Sequence, residues 1–344
     1  MNITFFIGNG FDINLGLNTR YSDFYPYFFD RASRENMIRQ WLNMDNLVWA
    51  DLEKQLGQCL ENVTESDIEK FYDDKAELDG LLLDYLEKEQ NRVITINKEQ
   101  EIADEFARSL TTLYDKLPEA DKDSIRSTYS VYSNEIFHYC FISFNYTDIL
   151  DQIINISLKL KVPIITHEYC GVIRKDMLSK VLHIHGTLNE EMILGVNDED
   201  QINNVFLRND LEFLDTFIKK RMNDSIGQRK TEHAKKLIDN SRIICIFGMS
   251  VGYTDKMWWE EILSWLKKSD YNKLIIFYKG YEEKLQRKNP AITIRLNNRI
   301  KKDILQKGGA EMENPNIEKI KERIFISYNT DIFNFKKIFF PQNR

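Results

Sequence analysis

The 344-residue sequence predicts an α/β fold, in which a mostly parallel sheet is flanked by helices and a large helical insertion follows the first strand. Three observations predict it. Short apolar runs alternate with helix-length segments from residue 137 onward, residues 26–136 carry helical periodicity, and glycine or polar residues follow several apolar runs. Because strands separated by helices pair in parallel, we expect these residues at one edge of the sheet.

The first strand is predicted at Ile3–Ile7 and ends in a double-glycine turn, Gly8-Asn9-Gly10. Such a turn lets the backbone bend into a helix whose first N–H groups can bind a phosphate. The third glycine of a dinucleotide-binding loop would fall at Ile13. The motif alone therefore leaves a phosphate site and an ordinary tight turn equally open.

Residues 26–136 are predicted as an inserted helical block, and residues 1–25 and 137–344 as the two parts of the α/β domain. Within the block, apolar residues recur every three to four positions among many charges, in the segments Asn36–Leu60, Glu65–Glu89 and Lys98–Leu117. Leu78, Leu82 and Leu86 form the apolar face of the middle segment.

The rest of the chain alternates between predicted strands and helices. The strands are Tyr139–Phe144, Pro163–Thr166, Val181–Ile184, Met192–Gly195, Arg242–Phe247, Lys273–Phe277 and Arg323–Ile326. The helices are Thr147–Leu160, Leu207–Ser241, Asp255–Lys268 and Glu282–Leu305.

Small and polar residues follow four of these strands, at Gly8–Asp12, Asn145–Asp148, His185–Thr187 and Gly248–Asp255. Each set has a purely structural interpretation as a helix cap, a tight turn or a core histidine. Four such sets at the same edge of a sheet are, however, the expected make-up of a nucleotide pocket.

The composition limits the class of protein. Hydrophobic residues make up 42% of the chain and aromatic residues 12%, as in folded globular proteins. The net charge of −7 argues against a broad nucleic-acid surface. No apolar stretch reaches the length of about 18 residues that spans a bilayer, and the N-terminus lacks a signal-peptide pattern, so a cytoplasmic protein without a membrane partner is expected.

No metal site is expected from the cysteines and histidines. Cys59, Cys140, Cys170 and Cys245 are scattered and form no close pair, so we expect reduced core residues and no zinc module. His183 and His185 share a strand face but have no clear third ligand. We expect one of these two histidines to face a ligand and the other to be hydrogen-bonded below it.

Taken together, the segments around the strand ends resemble the AbiH family of bacterial proteins, which is linked to abortive infection by phage. The matching segments are GNGFD at 8–12, FNYTD at 144–148, HIHGT at 183–187 and FGMSVGYTD at 247–255, with a stretch at Trp49–Glu53. The resemblance implies a defence function, which a phage-derived trigger would start.

More distantly, the same segments are similar to the sirtuin-like NAD-binding fold, which has a Rossmann-like sheet. Gly8, Gly10 and Gly16 repeat the glycine spacing of its first loop. Asn145 matches its strand-end asparagine, and His185, followed by Gly186, matches its catalytic histidine. The loop that holds a phosphate or ribose in that fold matches the pair Gly248 and Ser250.

The sequence also departs from that fold. Asp12 replaces the serine of the first loop, residues 18–21 replace a proline–aspartate–phenylalanine–arginine run, and the zinc cysteines are missing. The departures exclude protein deacetylation, and the resemblance then implies NAD as a ligand or as a substrate whose nicotinamide–ribose bond is hydrolysed.

The resemblance also implies roles for individual residues. Asn145 would hydrogen-bond the attacking water or the ribose, and His185 would act as the general base. Asp12 would bind a ribose hydroxyl or stabilise cationic charge. The remaining NAD contacts would come from Gly8, Asn9, Gly10, Gly186, Gly248 and Ser250. Glu53 and Arg20 are weaker candidates, expected at a solvated surface.

Three functions remain open at this point. The first is an NAD glycohydrolase, and the second is a sensor of a nucleotide or ADP-ribose without turnover. The third and least favoured is a nuclease-type toxin, because the chain is acidic and lacks a carboxylate–lysine nuclease pattern. Neither the trigger nor self-association into a homo-oligomer follows from the sequence.

Overall fold

The computed structural model describes residues 1–42, 52–93, 97–160, 165–250, 256–279, 289–312 and 315–340. In these ranges the strands are β1 (Asn2–Ile7), β2 (His138–Ser143), β3 (Thr166–Tyr169), β4 (Val172–Lys175), β5 (Met177–His183), β6 (Ser241–Phe247), β7 (Lys273–Tyr278) and β8 (Ile324–Tyr328).

The α-helices of the same ranges lie between and after the strands. They are α1 (Gly10–Leu15), α2 (Tyr21–Arg31), α3 (Met37–Trp41), α4 (Leu52–Cys59), α5 (Ile68–Gln90), α6 (Glu99–Thr111), α7 (Glu119–Val131), α8 (Ile149–Lys159), α9 (Val205–Arg208), α10 (Leu211–Phe217), α11 (Lys219–Ser225), α12 (Lys230–Asn240), α13 (Lys256–Lys268), α14 (Pro290–Lys307), α15 (Ile317–Lys321) and α16 (Lys336–Phe339). Short 3-10 turns occupy Leu60–Asn62, Glu65–Asp67 and Glu199–Gln201.

Six strands form one sheet in the order β5-β2-β1-β6-β7-β8. Each of its pairings is parallel, and β1 lies between β2 and β6. The strand order changes direction at β1, and open parallel sheets bind ligands outside the carboxyl ends of the strands at such a point. The predicted α/β class, with a parallel sheet flanked by helices, is confirmed.

Both faces of the sheet are covered by helices, as the β1 side chains show. Phe5 and Phe6 point to opposite faces because side chains alternate along a strand, and they belong to different apolar clusters. Phe5 packs with residues of α6 and α8. Phe6 packs with residues of α12, α13 and α14.

The predicted helical block contributes to two clusters. Residues of α2 to α5 form a third apolar cluster together with residues 188–218, and the predicted face of α5 (Leu78, Leu82 and Leu86) is buried in it. Residues of α6 pack instead against the sheet. The division of the chain into domains stays a prediction.

Two strand predictions need correction. Met192–Gly195 is not a strand: Ile193 N donates to the His185 carbonyl oxygen at 2.9 Å, and Leu194 is fully buried in the third cluster. This apolar run therefore reflects burial without strand pairing. Of Pro163–Thr166, residues 163 and 164 lie outside the described residues, and Thr166 begins β3, which pairs antiparallel with β4 away from the main sheet.

Several helix predictions also change. The predicted helix Leu207–Ser241 is four helices, α9 to α12. The Asp210 side chain accepts hydrogen bonds from the first turn of α10, and Gly227, at a φ of +76°, separates α11 from α12. The helix predicted from Glu282 is described only from residue 289, where the Asn289 side chain caps α14.

One cysteine differs from the expectation. Cys140 and Cys245 are buried, as predicted, but Cys170 is exposed at the turn between β3 and β4, where its φ is +50°. All four thiols are free. The expectation of a core position is therefore wrong for Cys170, because this hairpin projects from the sheet and leaves its turn in solvent.

Candidate functional site

The turn after β1 crosses the turn after β6 at backbone contact distance. Gly10 N donates to the Gly248 carbonyl oxygen at 2.8 Å, and a Cβ at Gly10 would lie 2.5 Å from the Gly248 Cα. A Cβ at Gly8 would lie 2.7 Å from the same carbonyl oxygen, and Gly248 has a φ of +72°. These glycines are thus required by the crossing itself.

Two N–H groups that could have bound a phosphate are used by this crossing. Gly10 N donates to Gly248, and Phe11 N donates to the Gly8 carbonyl oxygen at 2.9 Å. Asn9 exchanges side-chain hydrogen bonds with Thr19, at 2.7 Å and 2.5 Å. A phosphate at this edge would therefore need other donors.

A cavity of about 520 Å³ opens at the carboxyl ends of β1, β6, β7 and β8, and we call it the cleft. Of the predicted site residues, Gly10, Gly248 and Ser250 line it. Its other walls combine aromatic and polar side chains from Asn14, Phe247, Met249, Phe277, Tyr278, Lys279, Asn329, Thr330, Asp331 and Asn334.

The loop after β8 supplies a wall of the cleft that the sequence reasoning missed. Asn329 and Phe333 adopt left-handed φ angles of +45° and +55°, which are rare for residues other than glycine. Phe333 is fully buried, and its carbonyl oxygen accepts a 2.8 Å bond from Asn14. Polar residues follow β8 in the sequence, as they follow the other strands of the site. They were missed because the strand was predicted to end at Ile326, whereas β8 ends at Tyr328.

Asp12 is the centre of a buried polar cluster between the ends of β1 and β2. Its side chain accepts hydrogen bonds from Asn145 Nδ2 at 3.1 Å and from Thr147 Oγ1 at 2.7 Å. Burial raises the pKa of Asp12 to about 7, although the two hydrogen bonds and the charge of His183 lower it. This carboxyl group can therefore gain or lose a proton near neutral pH.

One atom of the Asn145 side-chain amide is available for a further hydrogen bond. Its Oδ1 is buried and has no hydrogen-bond partner among the described residues. The side chain lines a cavity of about 90 Å³ together with Asn9, Asp12 and Tyr21. A buried acceptor without a partner costs stability unless water or a ligand donates to it, so this oxygen is suited to bind one.

His183 contacts the cluster through the backbone. Its Nδ1 lies 3.2 Å from the Asn145 carbonyl oxygen, and its Nε2 lies 2.7 Å from Asp151 Oδ2. Sequence reasoning placed one of the two histidines in such a supporting position without choosing between them, and Asp151 was not identified at all.

His185 lies in different surroundings from Asn145. Its ring packs edge-on at 5.7 Å from the Phe144 ring and lines a separate cavity of about 30 Å³ with Lys219. Burial, together with the charges of Lys219 and Lys230, holds the pKa of His185 well below its usual range, so the ring is neutral at physiological pH. Its Nδ1 has no partner within the described residues.

The expectation of a solvated Glu53 is wrong. Glu53 Oε1 lies 2.5 Å from Lys219 Nζ, and only 13% of the Glu53 side chain is exposed. Tyr21 also donates to it at 3.2 Å. The carboxylate is needed there because Lys219 is buried. Arg20 is exposed, as expected, and residues 49–51 of the matching stretch lie outside the described residues.

Gly186, the remaining predicted site residue, lies at a tight turn of the backbone. Gly186, at a φ of +75°, turns the chain after β5, where a Cβ would meet the Glu191 carbonyl oxygen at 1.7 Å. Trp258 and Trp259 are buried in the core. Residues 251–255 of the loop after Ser250 lie outside the described part of the chain.

The described ranges lack both a cluster of metal ligands and a membrane-spanning helix. They contain no group of three or more histidine, cysteine or acidic side chains arranged to hold a metal ion. None of the helices described is both long and apolar enough to cross a membrane.

Comparison with known proteins identifies the family. No curated protein matches the chain significantly. The family described as "Bacteriophage abortive infection AbiH" matches residues 4–278, which is most of the chain and includes every predicted site residue. This description suggests a phage abortive-infection function. The chain belongs to the AbiH family.

Proposed function

We propose that this AbiH-family protein binds NAD at the carboxyl edge of its sheet and hydrolyses the nicotinamide–ribose bond in the cytoplasm of infected cells. The observation that carries the proposal is the buried cluster of Asp12, Asn145 and Thr147, in which one carboxyl group has a pKa of about 7. Depletion of NAD would then account for abortive infection.

The sheet and the cleft support binding of a dinucleotide. Six parallel strands in this order, changing direction at β1, are compatible with a Rossmann-like sheet that binds a dinucleotide at the point of change. A cleft of about 520 Å³ falls within the usual size of ligand pockets. Phe277 and Tyr278 offer rings for a base, while Ser250 and Lys279 offer donors for ribose and phosphate oxygens.

The Asp12 cluster fits the chemistry of this reaction. When the bond between ribose C1′ and the nicotinamide nitrogen breaks, its electron pair leaves with nicotinamide, and positive charge develops on the ribose. An ionised Asp12 would stabilise that charge. Water then adds to C1′, and its proton passes to a base.

Asn145 and His185 would act on water and ribose. The free Oδ1 of Asn145 can accept a hydrogen bond from the attacking water or from a ribose hydroxyl. His185 is neutral, so one of its ring nitrogens carries a lone pair that can accept a hydrogen bond from water or from a ribose hydroxyl and act as the general base. Because His185 and Asn145 line different cavities, their joint action requires the ligand to reach past Phe144 and Tyr146, whose rings lie next to His185.

One observation favours a second function, a nucleotide or ADP-ribose sensor without turnover. The cavity beside Asn145 holds only about 90 Å³, below the range of about 300–1,000 Å³ that is usual for ligand pockets. A sensor would use the cleft alone and leave Asp12 buried.

The test is NAD turnover by the purified protein, with nicotinamide and ADP-ribose separated by chromatography. We expect wild type to release nicotinamide and His185→Ala and Asn145→Ala to release none, while each variant stays soluble and unfolds in a single cooperative melting transition. The control is His167→Ala, since His167 is a half-buried histidine bonded to Asp176, away from these cavities. If wild type is inactive but NAD raises its melting temperature, the sensor replaces the enzyme; a fully active His185→Ala protein would remove His185 from the mechanism.

A further inference from the structure

Each ring nitrogen of His183 has an oxygen atom as its partner. A carbonyl oxygen can only accept, so the contact with Asn145 requires a hydrogen on Nδ1. The 2.7 Å contact between Nε2 and Asp151 Oδ2 also needs a proton between its two atoms. The ring is therefore held between Asp151 and the Asn145 carbonyl group.

Other charges around Asp12 are few. The 90 Å³ cavity beside it is lined from α2 by Tyr21, from α5 by Leu82 and Leu86, and after β2 by residues that include Tyr146. None of the described residues lining that cavity is lysine or arginine. The buried Lys219 is paired with Glu53. A charge on His183 also lowers the pKa of Asp12, after the larger effects of the hydrogen bonds from Thr147 and Asn145.

A continuous series of polar contacts connects Asp151 to Asp12. It runs from Asp151, whose side chain is 32% exposed, to His183, then through the Asn145 carbonyl group and side-chain amide to Asp12. Asn145 is therefore held at two points, with its backbone fixed by His183 and its amide directed at Asp12.

We propose that His183, held by Asp151, is a positioning residue that fixes Asn145 through its carbonyl oxygen and so directs the Asn145 amide at Asp12. Its importance for catalysis rests on the proposed function, whereas its action on Asp12 does not. Loss of His183 would release Asn145 from this position and favour the protonated form of Asp12, which can neither stabilise a cation nor accept a proton.

The experiment follows the titration of Asp12 by NMR in protein labelled with ¹³C at the aspartate carboxyl carbon. The Asp12 signal is the one that disappears in Asp12→Asn. His183→Asn keeps a donor near the Nδ1 position but removes the charge, and Asp151→Asn, at a partly exposed position, weakens the charge without disturbing the core. Both variants should move the Asp12 midpoint upward, because the Asn145 hydrogen bond and the His183 charge each lower the pKa of Asp12.

A matched control comes from the same fold. His167 and Asp176 form a second histidine–aspartate pair, 2.9 Å apart and away from Asp12, so His167→Asn and Asp176→Asn should leave the Asp12 midpoint unchanged. An unchanged midpoint in both Asp151→Asn and His183→Asn would overturn the proposal. If His183→Asn does not fold, Asp151→Asn alone decides.

A second readout separates this inference from the proposed function. If NAD is hydrolysed, the acid limb of the pH profile for nicotinamide release should shift upward with the Asp12 midpoint in Asp151→Asn. If the wild type hydrolyses no NAD, the proposed function fails, and the NMR midpoints still decide whether His183 sets the charge of Asp12.

Discussion

Replacement of Asp12 by asparagine should stabilise the protein, and more so at high pH. The Asp12 carboxyl is 2% exposed, and burial raises its pKa from 3.8 to about 7. The folded state therefore binds this proton more tightly than the unfolded state. Its contribution is favourable at low pH and is lost as the pH rises from 3.8 through 7. The amide introduced by Asp12→Asn resembles the protonated acid, because the Thr147 hydroxyl can rotate to accept a hydrogen bond from it.

The magnitude follows from the difference between the two pKa values. Each unit corresponds to about 1.4 kcal/mol, so Asp12 costs the folded protein about 4 kcal/mol at pH 8, where it is ionised, and about 2 kcal/mol at pH 5, where it has to take up a proton. These costs are upper limits for the gain from Asp12→Asn, since the new amide has fewer acceptor sites. The gain should shrink by about 2–3 kcal/mol between pH 8 and pH 5.

The assay is urea unfolding of wild type and Asp12→Asn at pH 5, 6, 7 and 8, with the free energy of unfolding extrapolated to water. Asp239→Asn is a suitable control. Asp239 pairs with Lys268 at the surface, and the side chains of both residues are about half exposed. The reasoning is refuted if the stability difference between Asp12→Asn and wild type is the same at every pH, or if wild type is the more stable at pH 8.

Two further predictions concern packing and a buried ion pair. Gly10→Ala should destabilise by about 2 kcal/mol or more, because its Cβ would lie 2.5 Å from the Gly248 backbone. Gly80→Ala, in an exposed part of α5 with no atom within 4 Å of its Cβ, should stabilise by about 0.5–1 kcal/mol; equal effects in urea unfolding would disprove the crossing argument. Glu53→Gln should cost about 3 kcal/mol by leaving Lys219 buried without its carboxylate. Calorimetry should show a clear fall in melting temperature, and no fall would mean that the pair is screened by solvent.

The sequence could predict the parallel sheet because its strands are buried on both faces. The run at Ser241–Phe247 is apolar at nearly every position, which is typical of a strand covered by helices on both sides. The glycines after β1 and β6 were recognisable as well, since backbones that approach this closely exclude side chains.

The contacts within the site could not be predicted in the same way. Asp12 appeared as a ligand-binding carboxylate, but its burial and its pKa depend on Thr147 and Asn145, which are distant in sequence. Glu53 looked solvated because its partner, Lys219, is 166 positions later in the chain. Met192–Gly195 showed that an apolar run indicates burial, whereas strand pairing also needs a neighbouring edge.

The central position of β1 also affects how this protein folds. β1 pairs with β2 and β6, so the Asp12 cluster joins residues 133 and 135 positions apart, and Gly10 meets Gly248 across a still longer stretch. Contacts of such separation form slowly, because a long loop must close before they contribute. A shortened chain that ends before β6 would present β1 with one unpaired edge, a template for aggregation. Folding and assembly of the site are therefore one event, completed only when β6 is in place.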